Sequence, residues 1–512
     1  MKRFAVPALL AAFFFQSLCA SLVHSPTFDE PAHLASGVSY FSTHVFHANL
    51  QHPPLLKEIA ALSAMIFAGV RWPHSPEAQA LIANPPGMSG LEWAVGNDLI
   101  ARYGPDRVLF WARLPMILIG TALGLLIYLW GRRLLGETAA LAALFLYAFD
   151  PTIIAHSAFV TTDVGLAAFT IAFLAALWNY VERREGRWLM WAGLALGGAL
   201  ASKYSAVFLV PVALALLGAA LGRRALVPFL ILCGLAFVVV EASFLFRSPL
   251  LYLDGIARVN ADHDPTYRAF FAGNFARRFY TYFAGVYLLK EPLAAIAAAA
   301  IGLYAIAGKK RNLKLFLLLP PAVLFAAYTL KADNMGVRYL IPVLPFAFLL
   351  GGAGIAWLLE RRARWSRATV AILGLWLAVE AAAIYPDHLS YFNESACLLW
   401  DPAHVGLDGG TRCGPQWLDE SNVDWGQSVK QLRAWLDRNQ IRQPIQFAYF
   451  GSFPPQNYGI RFTTPNPGGQ PSPGVYAVSA HFVPRLAAVG SWLGTAEPTA
   501  IVGHSIYVYV VR

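Results

Sequence analysis

The cations of this chain occupy every second gap between its apolar stretches, while its acids and histidines gather in the remaining gaps. One series holds Lys2 and Arg3, Arg132 and Arg133, Arg183, Arg184 and Arg187, Arg223 and Arg224. It continues through Lys309, Lys310, Arg311 and Lys314 to Arg361, Arg362, Arg364 and Arg367. The other series holds Asp29, Glu30, His52, Asp163, Asp262, Asp264, Asp333 and the segment from Tyr385 onward. Apolar runs of about 20 residues match a hydrocarbon core of about 30 Å. Basic loops are retained in the cytoplasm. The pattern therefore predicts a chain threaded repeatedly through a membrane, with its unusual polar residues on the far side.

Composition narrows the classes. Hydrophobic residues make up 57% of 512 positions and charged ones 13%, far from the balance of a soluble domain. The net charge of +10 is spread over helix ends rather than collected on one face, which argues against a nucleic-acid partner. Four cysteines are too few for a disulfide scaffold. Cys19 and Cys233 fall in apolar spans; Cys397 and Cys413 share the outer segment and either pair or remain thiols. The start, Met1-Lys2-Arg3 and apolar residues to Ala20, has the outline of a signal peptide. We expect it to stay as an uncleaved anchor.

About eleven spans are expected: Phe4–Val23, Phe110–Trp130, Thr138–Ala155, Val164–Tyr180, Trp188–Ala201, Ala206–Leu221, Ala225–Leu245, Leu289–Ala307, Leu313–Leu330, Leu340–Leu359 and Ala368–Ile384. Ser202-Lys203-Tyr204 divides Trp188–Leu221 into a short hairpin, because a single tilted span would put Arg223 and Arg224 outside. Leu55–Val70, interrupted by Lys57 and Glu58, is expected to lie on the outer surface as an interfacial helix. The fold class is thus an α-helical polytopic membrane protein with a small C-terminal extracytoplasmic α/β domain. Residues 1–384 form the membrane domain, with outer loops at 24–109 and 246–290, and residues 385–512 the outer domain. There Ser428–Asn439 has helical spacing, and Ile445–Phe450, Val475–Ser479 and Ser505–Val511 read as strands. The Gly and Ala spacing at Gly193–Gly198 and Gly351–Gly354 predicts close helix packing rather than a dinucleotide loop.

The candidate chemistry lies at outer span ends. Asp29 and Glu30 form an adjacent acidic pair, either a helix N-cap before Pro31 or a general base. Pro53 and Pro54 stiffen the chain after His52, aiming it at an anion or standing as a plain loop. His156 and Asp163 share an outer turn, where Asp163 also suits a helix N-cap. Lys203 and Arg338 are cations on the side that the topology reserves for acids, either snorkelling or neutralising an anion. Asp29, Glu30, His52 and His156 could supply ligands to a divalent metal, but their spacing does not demand one. No Walker loop, HExxH or ordered Ser-His-Asp set is present.

Taken in order, Phe28-Asp29-Glu30, His52-Pro53-Pro54-Leu55, Ala155-His156 with Thr161-Thr162-Asp163, Ser202-Lys203-Tyr204-Ser205, Gly336-Val337-Arg338-Tyr339-Leu340-Ile341-Pro342 and Ser421-Asn422-Val423-Asp424-Trp425-Gly426-Gln427 resemble the membrane glycosyltransferases of the GT-C class. The resemblance is greatest to glycosyltransferase family 39, which includes protein O-mannosyltransferases and the lipid A aminoarabinose transferase. It implies an inverting transfer of sugar from a polyprenyl-phosphate donor to a protein, lipid or glycan acceptor, at the outer face of the cytoplasmic (inner) membrane. Asp29 would be the catalytic base. Glu30, His52, Lys57, His156, Asp163, Lys203, Asn334 and Arg338 would bind substrate. Many relatives carry Lys where His52 stands, so Lys57, Lys203 or Arg338 would then supply the phosphate charge. Competing classes are a secondary transporter, whose ionisable groups would sit at the midplane of repeated halves, a lipid-binding scaffold, and a ligase acting on whole lipid-linked glycans.

Overall fold

Apolar length sets the architecture. In the computed structural model, which describes residues 2–83, 90–247, 250–261 and 266–512, the helical or apolar stretches Phe4–Val23, Pro105–Leu135, Asp163–Arg183, Tyr204–Ser243, Arg311–Lys331 and Arg364–Ala383 are long and apolar enough to cross a membrane. Two bent pairs raise the number to as many as 8: Glu137–Ala148 with Pro151–Ser157, bent by 63°, and Tyr282–Lys290 with Leu293–Ala305, bent by 112°. The protein is therefore a polytopic α-helical membrane protein with six to eight apolar spans, and the expected eleven are not all of span length. The difference lies in short helices: Gly186–Ser202 and Leu344–Glu360 have 17 residues each. The 40-residue stretch Tyr204–Ser243 is broken at Gly222–Ala225 into the helices Leu209–Leu221 and Leu226–Ser243. Asp262 and Asp264 lie outside the described residues.

Each break has a local cause. Pro151 cannot follow a residue in helical conformation at low cost, and Asp150 caps the new helix by accepting from Ile153 N at 2.8 Å. Pro292 does the same after Glu291, which is extended. Lys203, the expected hairpin tip, is extended at φ −153°, ψ 138°. Small residues let the helices touch. A Cβ on Gly302 would overlap the Leu350 carbonyl, and one on Gly354 the Ala298 carbonyl, so the helices Leu293–Ala305 and Leu344–Glu360 meet backbone to backbone.

The first loop folds into the helices Glu30–Thr43, Leu55–Ser63, Pro76–Ala83 and Leu91–Tyr103. The segment expected to lie on the surface, Leu55–Val70, does keep Leu62, Ile66 and Phe67 exposed, but its charged residues turn inward. Leu55–Ser63 continues into a π-turn at Ala64–Ala68 and buries Lys57 and Glu58, because it packs against Glu30–Thr43 and the long helix Pro105–Leu135. Gly37 admits this contact: a Cβ there would collide with the Lys57 carbonyl. The second loop carries the helix Leu251–Ala261 and a hairpin of strands β1 (Ala269–Phe271) and β2 (Asn274–Ala276).

At the C-terminal end, strands β3 (Ile445–Ala448), β4 (Phe462–Thr463), β5 (Gly474–Ser479), β6 (Ala500–Val502) and β7 (Ile506–Val511) form a sheet of order β4-β3-β5-β7-β6. β3 runs parallel to β4 and β5, and β7 antiparallel to β5 and β6. The helix Val429–Arg438 places Val429, Leu432 and Leu436 against Ile445 and Phe447, the i, i+3, i+7 face that its sequence predicts. The short strands β4 and β6 went unpredicted, since two or three residues carry no usable alternation. Cys397 and Cys413 are disulfide-bonded. The domain is also docked, not pendant: Ser25 N donates to Gln427 O at 2.9 Å and Phe28 N to Trp425 O at 2.8 Å.

Candidate active site

Asp29 occupies the N-cap of the helix Glu30–Thr43, yet its carboxylate makes no cap hydrogen bond. It turns instead to Arg338, whose Nη1 lies 2.8 Å from Oδ2. Its neighbour has the opposite fate. Glu30 is 1% exposed and receives Arg113 Nε and Nη2 at 2.8 and 2.7 Å, Thr27 N at 2.8 Å and Val160 N at 2.9 Å. Burial opposes its ionisation, but the Arg113 guanidinium and these donors hold its carboxyl below the usual range. Arg113 also donates to the carbonyls of Ser21, His24 and Ser25. The pair thus bolts the start of the loop to the helix Pro105–Leu135 and fixes the backbone from which Asp29 projects.

Arg338 is positioned from the C-terminal domain. Val337 N donates to Asn422 Oδ1 at 2.9 Å, and Ser421 Oγ to Met335 O at 2.5 Å. Gly336 between them has φ +130° and lies against Ser421, a conformation and a clearance that suit glycine alone. The Arg338 guanidinium sits 4.8 Å from the Trp425 ring centroid and 5.8 Å from that of Tyr339. Burial is the largest single influence and works against its charge, but Asp29, Tyr339, Glu420 and Asp163 together outweigh it, so its pKa is raised. Arg338 Nε is buried without a hydrogen-bond partner among the described residues.

Tyr339 borders a second cation. Lys203 Nζ lies 4.5 Å from its ring centroid and 2.5 Å from Asp163 Oδ1. Burial lowers the Lys203 pKa, with Asp163 opposing. Asp163 opens the helix Asp163–Arg183, where the dipole also favours negative charge. His156 is 1% exposed, stands 6.0 Å from Trp425 ring to ring, and has no hydrogen-bond partner on either ring nitrogen among the described residues. His52 stands 5.5 Å from His33. Burial, Lys203 and the neighbouring His33 push the His52 pKa well below normal, so at neutral pH it offers an uncharged N–H.

Of the residues singled out from sequence, Asp29, Arg338, Lys203, Asp163, His156 and His52 therefore form one polar cluster, the candidate chamber, each within electrostatic reach of others of the set. Lys57, Glu30 and Asn334 are committed to its frame. Lys57 Nζ donates to the carbonyls of Asn49 and His52, each at 2.7 Å, and so shapes the turn that carries His52. Asn334 Oδ1 accepts from Phe279 N at 2.7 Å while its Nδ2 is left without a partner. Among the described residues no three His, Cys, Asp or Glu side chains gather as metal ligands. Sequence reasoning missed Arg113, Tyr339, Trp425 and Glu420 as site residues. Glu420, at φ +61°, is pushed up by burial while Arg338 pulls its pKa down and Asp29 raises it, so it faces that ion pair. Arg113 had left a signal: an ionisable side chain inside an apolar run.

The geometry joins a carboxylate, two cations and aromatic walls, a set suited to deprotonating a hydroxyl beside an anion. A family model described as dolichyl-phosphate-mannose-protein mannosyltransferase matches residues 106–246, well short of half the chain. ArnT from Cupriavidus metallidurans bound to undecaprenyl phosphate aligns at 13% identity and TM-score 0.51, over 99% of this chain and 97% of that one. The same protein in the apo state aligns at 14% and 0.52, over 99% and 96%. The oligosaccharyltransferase of Archaeoglobus fulgidus in the apo form aligns at 12% and 0.45, over 86% and 58%. No curated protein sequence matches the chain. The chain shares the overall fold of ArnT.

Proposed function

We propose that this protein is an inverting glycosyltransferase that takes its sugar from a polyprenyl-phosphate donor, in the manner of glycosyltransferase family 39. Asp29 accepts the proton of an acceptor hydroxyl. The freed oxygen attacks the anomeric carbon, and the bond from that carbon to the phosphate oxygen breaks with its electron pair leaving on the lipid phosphate. Arg338 and Lys203 stabilise the departing phosphate, each strong contact supplying roughly 3 kcal/mol. The neutral His52 donates a hydrogen bond without charge, and Asp163 keeps Lys203 oriented. Glu30 acts through its neighbour, as a positioning residue. The membrane fold shared with a protein crystallised with undecaprenyl phosphate supports the donor class. The site opens outward from the cytoplasmic membrane, with the N-terminus inside and the terminal domain outside.

The observation that carries the reading is the 2.8 Å pairing of the Asp29 carboxylate with Arg338 beside a second cation at the same tyrosine. An arriving phosphate competes for Arg338 and releases the carboxylate at the moment a base is required. Purified protein is incubated with a panel of polyprenyl-phosphate sugars and free polyprenyl phosphate is measured. Release from at least one donor, lost in Asp29→Asn, is expected; no release from any donor with any acceptor class rejects the proposal.

A further inference from the structure

Away from this cluster, near the end of the helix Arg364–Ala383, two carboxyl groups lie side by side. Glu380 is 1% exposed and accepts Tyr391 Oη–H on Oε1 at 2.7 Å. Glu394 accepts Trp376 Nε1–H on Oε1 at 2.5 Å. Both Oε2 atoms are buried and receive no N–H or other O–H donor among the described residues, and the Glu380 and Glu394 carboxyl groups lie within hydrogen-bonding reach of each other. The two line one groove with Leu375, Trp376, Val379 and Leu407, and no Lys, Arg or His borders it.

The place of this groove matters. Glu380 stands three residues before the end of its apolar span, at the end from which His388–Asn393 leads back to Lys290 and Asn422 beside the site. Leu375 is 67% exposed and Leu407 74%, so the groove opens on the lipid-facing side of the helix. Two buried carboxyl groups held side by side at the end of an apolar span are expensive unless a proton or a cation lies between them. A single cation entering between them satisfies both. Apolar walls running along the span receive a chain, and the acidic end receives its headgroup.

We infer that this groove binds a membrane lipid with a primary ammonium headgroup, an aminophospholipid of the leaflet on the site side. Its –NH3⁺ has three donors and no acceptor, enough to reach both free Oε2 atoms, while an acyl chain lies along Leu375 and Val379. A choline lipid carries the same charge but no N–H, and a glycerol headgroup carries no cation. The groove therefore discriminates by hydrogen bonding as well as by charge. The inference does not depend on the glycosyl-transfer reading, because none of these residues contributes to the chamber.

The full chain is reconstituted in bilayers of equal phosphatidylethanolamine, phosphatidylcholine and phosphatidylglycerol, then released into detergent, and retained lipids are read by native mass spectrometry. Phosphatidylethanolamine is expected to be enriched over phosphatidylcholine by about tenfold, as for one charge-assisted hydrogen bond. Glu380→Gln with Glu394→Gln should bring the ratio near one. Leu375→Trp, at a lipid-exposed position, tests the groove without disturbing the buried pair and should reduce retention of every lipid there. Equal retention of the ethanolamine and choline lipids by the native protein, or enrichment unchanged in both variants, overturns the inference and leaves the carboxyl groups sharing a proton between themselves.

Discussion

The Asp29 carboxylate and the Arg338 guanidinium, 309 residues apart in the chain, meet at 2.8 Å with both side chains largely buried. Neither is held by its own element alone. Asp29 is aimed by the neighbouring Glu30–Arg113 pair, and Arg338 by Asn422 and Ser421 from the terminal domain. The two partners of the pair are thus delivered by independent parts of the fold.

Removing either partner should have distinguishable kinetic effects. Asp29→Asn keeps the shape and a hydrogen bond to Arg338 but cannot accept a proton, so turnover should fall by roughly 10²–10⁴ with donor binding retained. Arg338→Met should lower kcat by about 10²–10³ and also weaken binding of polyprenyl phosphate itself. Steady-state release of the lipid phosphate and direct binding of the lipid check both. An Asp29→Asn enzyme that turns over normally removes Asp29 from the role of base.

The buried pair behind Asp29 is a stability element. Arg113 and Glu30 are each 1% exposed, and breaking such a pair by removing one partner costs about 3–5 kcal/mol, because the other charge is left buried. Arg113→Met alone should be strongly destabilised. Arg113→Met combined with Glu30→Met should recover part of that loss, since no bare charge remains. Thermal unfolding in detergent reads the difference. Losses that simply add in the double variant would show that the two side chains do not act as one unit.

Charge alternation exposed the membrane class, and the off-pattern cations Lys203 and Arg338 identified the chamber, because a charge at the wrong end of a span is costly and visible in one dimension. The break at Lys203 was legible for the same reason. Glu30 was expected to bind substrate beside Asp29, yet Asp29 turns to Arg338 and Glu30 to Arg113; neighbouring residues point apart, and only the partner 83 positions away decides. Lys57 and Glu58 suggested a surface helix, and Leu62, Ile66 and Phe67 are exposed, but the two charged residues are buried against Pro105–Leu135 and Glu30–Thr43, a tertiary contact with no local signature. Glu420 and Trp425 come from the terminal domain, and their approach to Arg338 depends on docking that no spacing encodes.

Sidedness can be read by labelling. With Cys19 and Cys233 replaced by Ser, and Cys397 and Cys413 held in their disulfide, single cysteines are placed at the exposed positions Asn439 and Glu182. Asn439 belongs to the terminal domain that docks on the site, and Glu182 lies at the far end of the helix Asp163–Arg183. An impermeant maleimide should label Asn439→Cys in intact cells and Glu182→Cys only after lysis. The reverse pattern would put the chamber in the cytosol and remove the outer-face assignment.

Docking of the terminal domain should also depend on pH through Asp424. This residue is 1% exposed, accepts from Gly426 N at 2.9 Å, and lies in the strand of chain that bonds to Ser25 and Phe28. Burial pushes its pKa up from 3.8 to about 7, against the pull of its hydrogen bonds. Between those values the native protein keeps a proton that the unfolded chain has released, so stability falls as pH rises through this interval. Above about pH 7 the ionised carboxylate sits in a dry environment, and the loss is complete. Asp424→Asn cannot ionise and should remove this contribution. The difference in unfolding temperature between Asp424→Asn and the native protein should therefore grow in favour of the variant from pH 5 to pH 8. Lys57, lowered to about 7 chiefly by burial, acts with the opposite sign at higher pH, but it is common to both proteins and cancels in the comparison. A difference that stays constant across the range would mean that Asp424 is ionised in the folded protein at pH 5, and that the docked segment tolerates its charge.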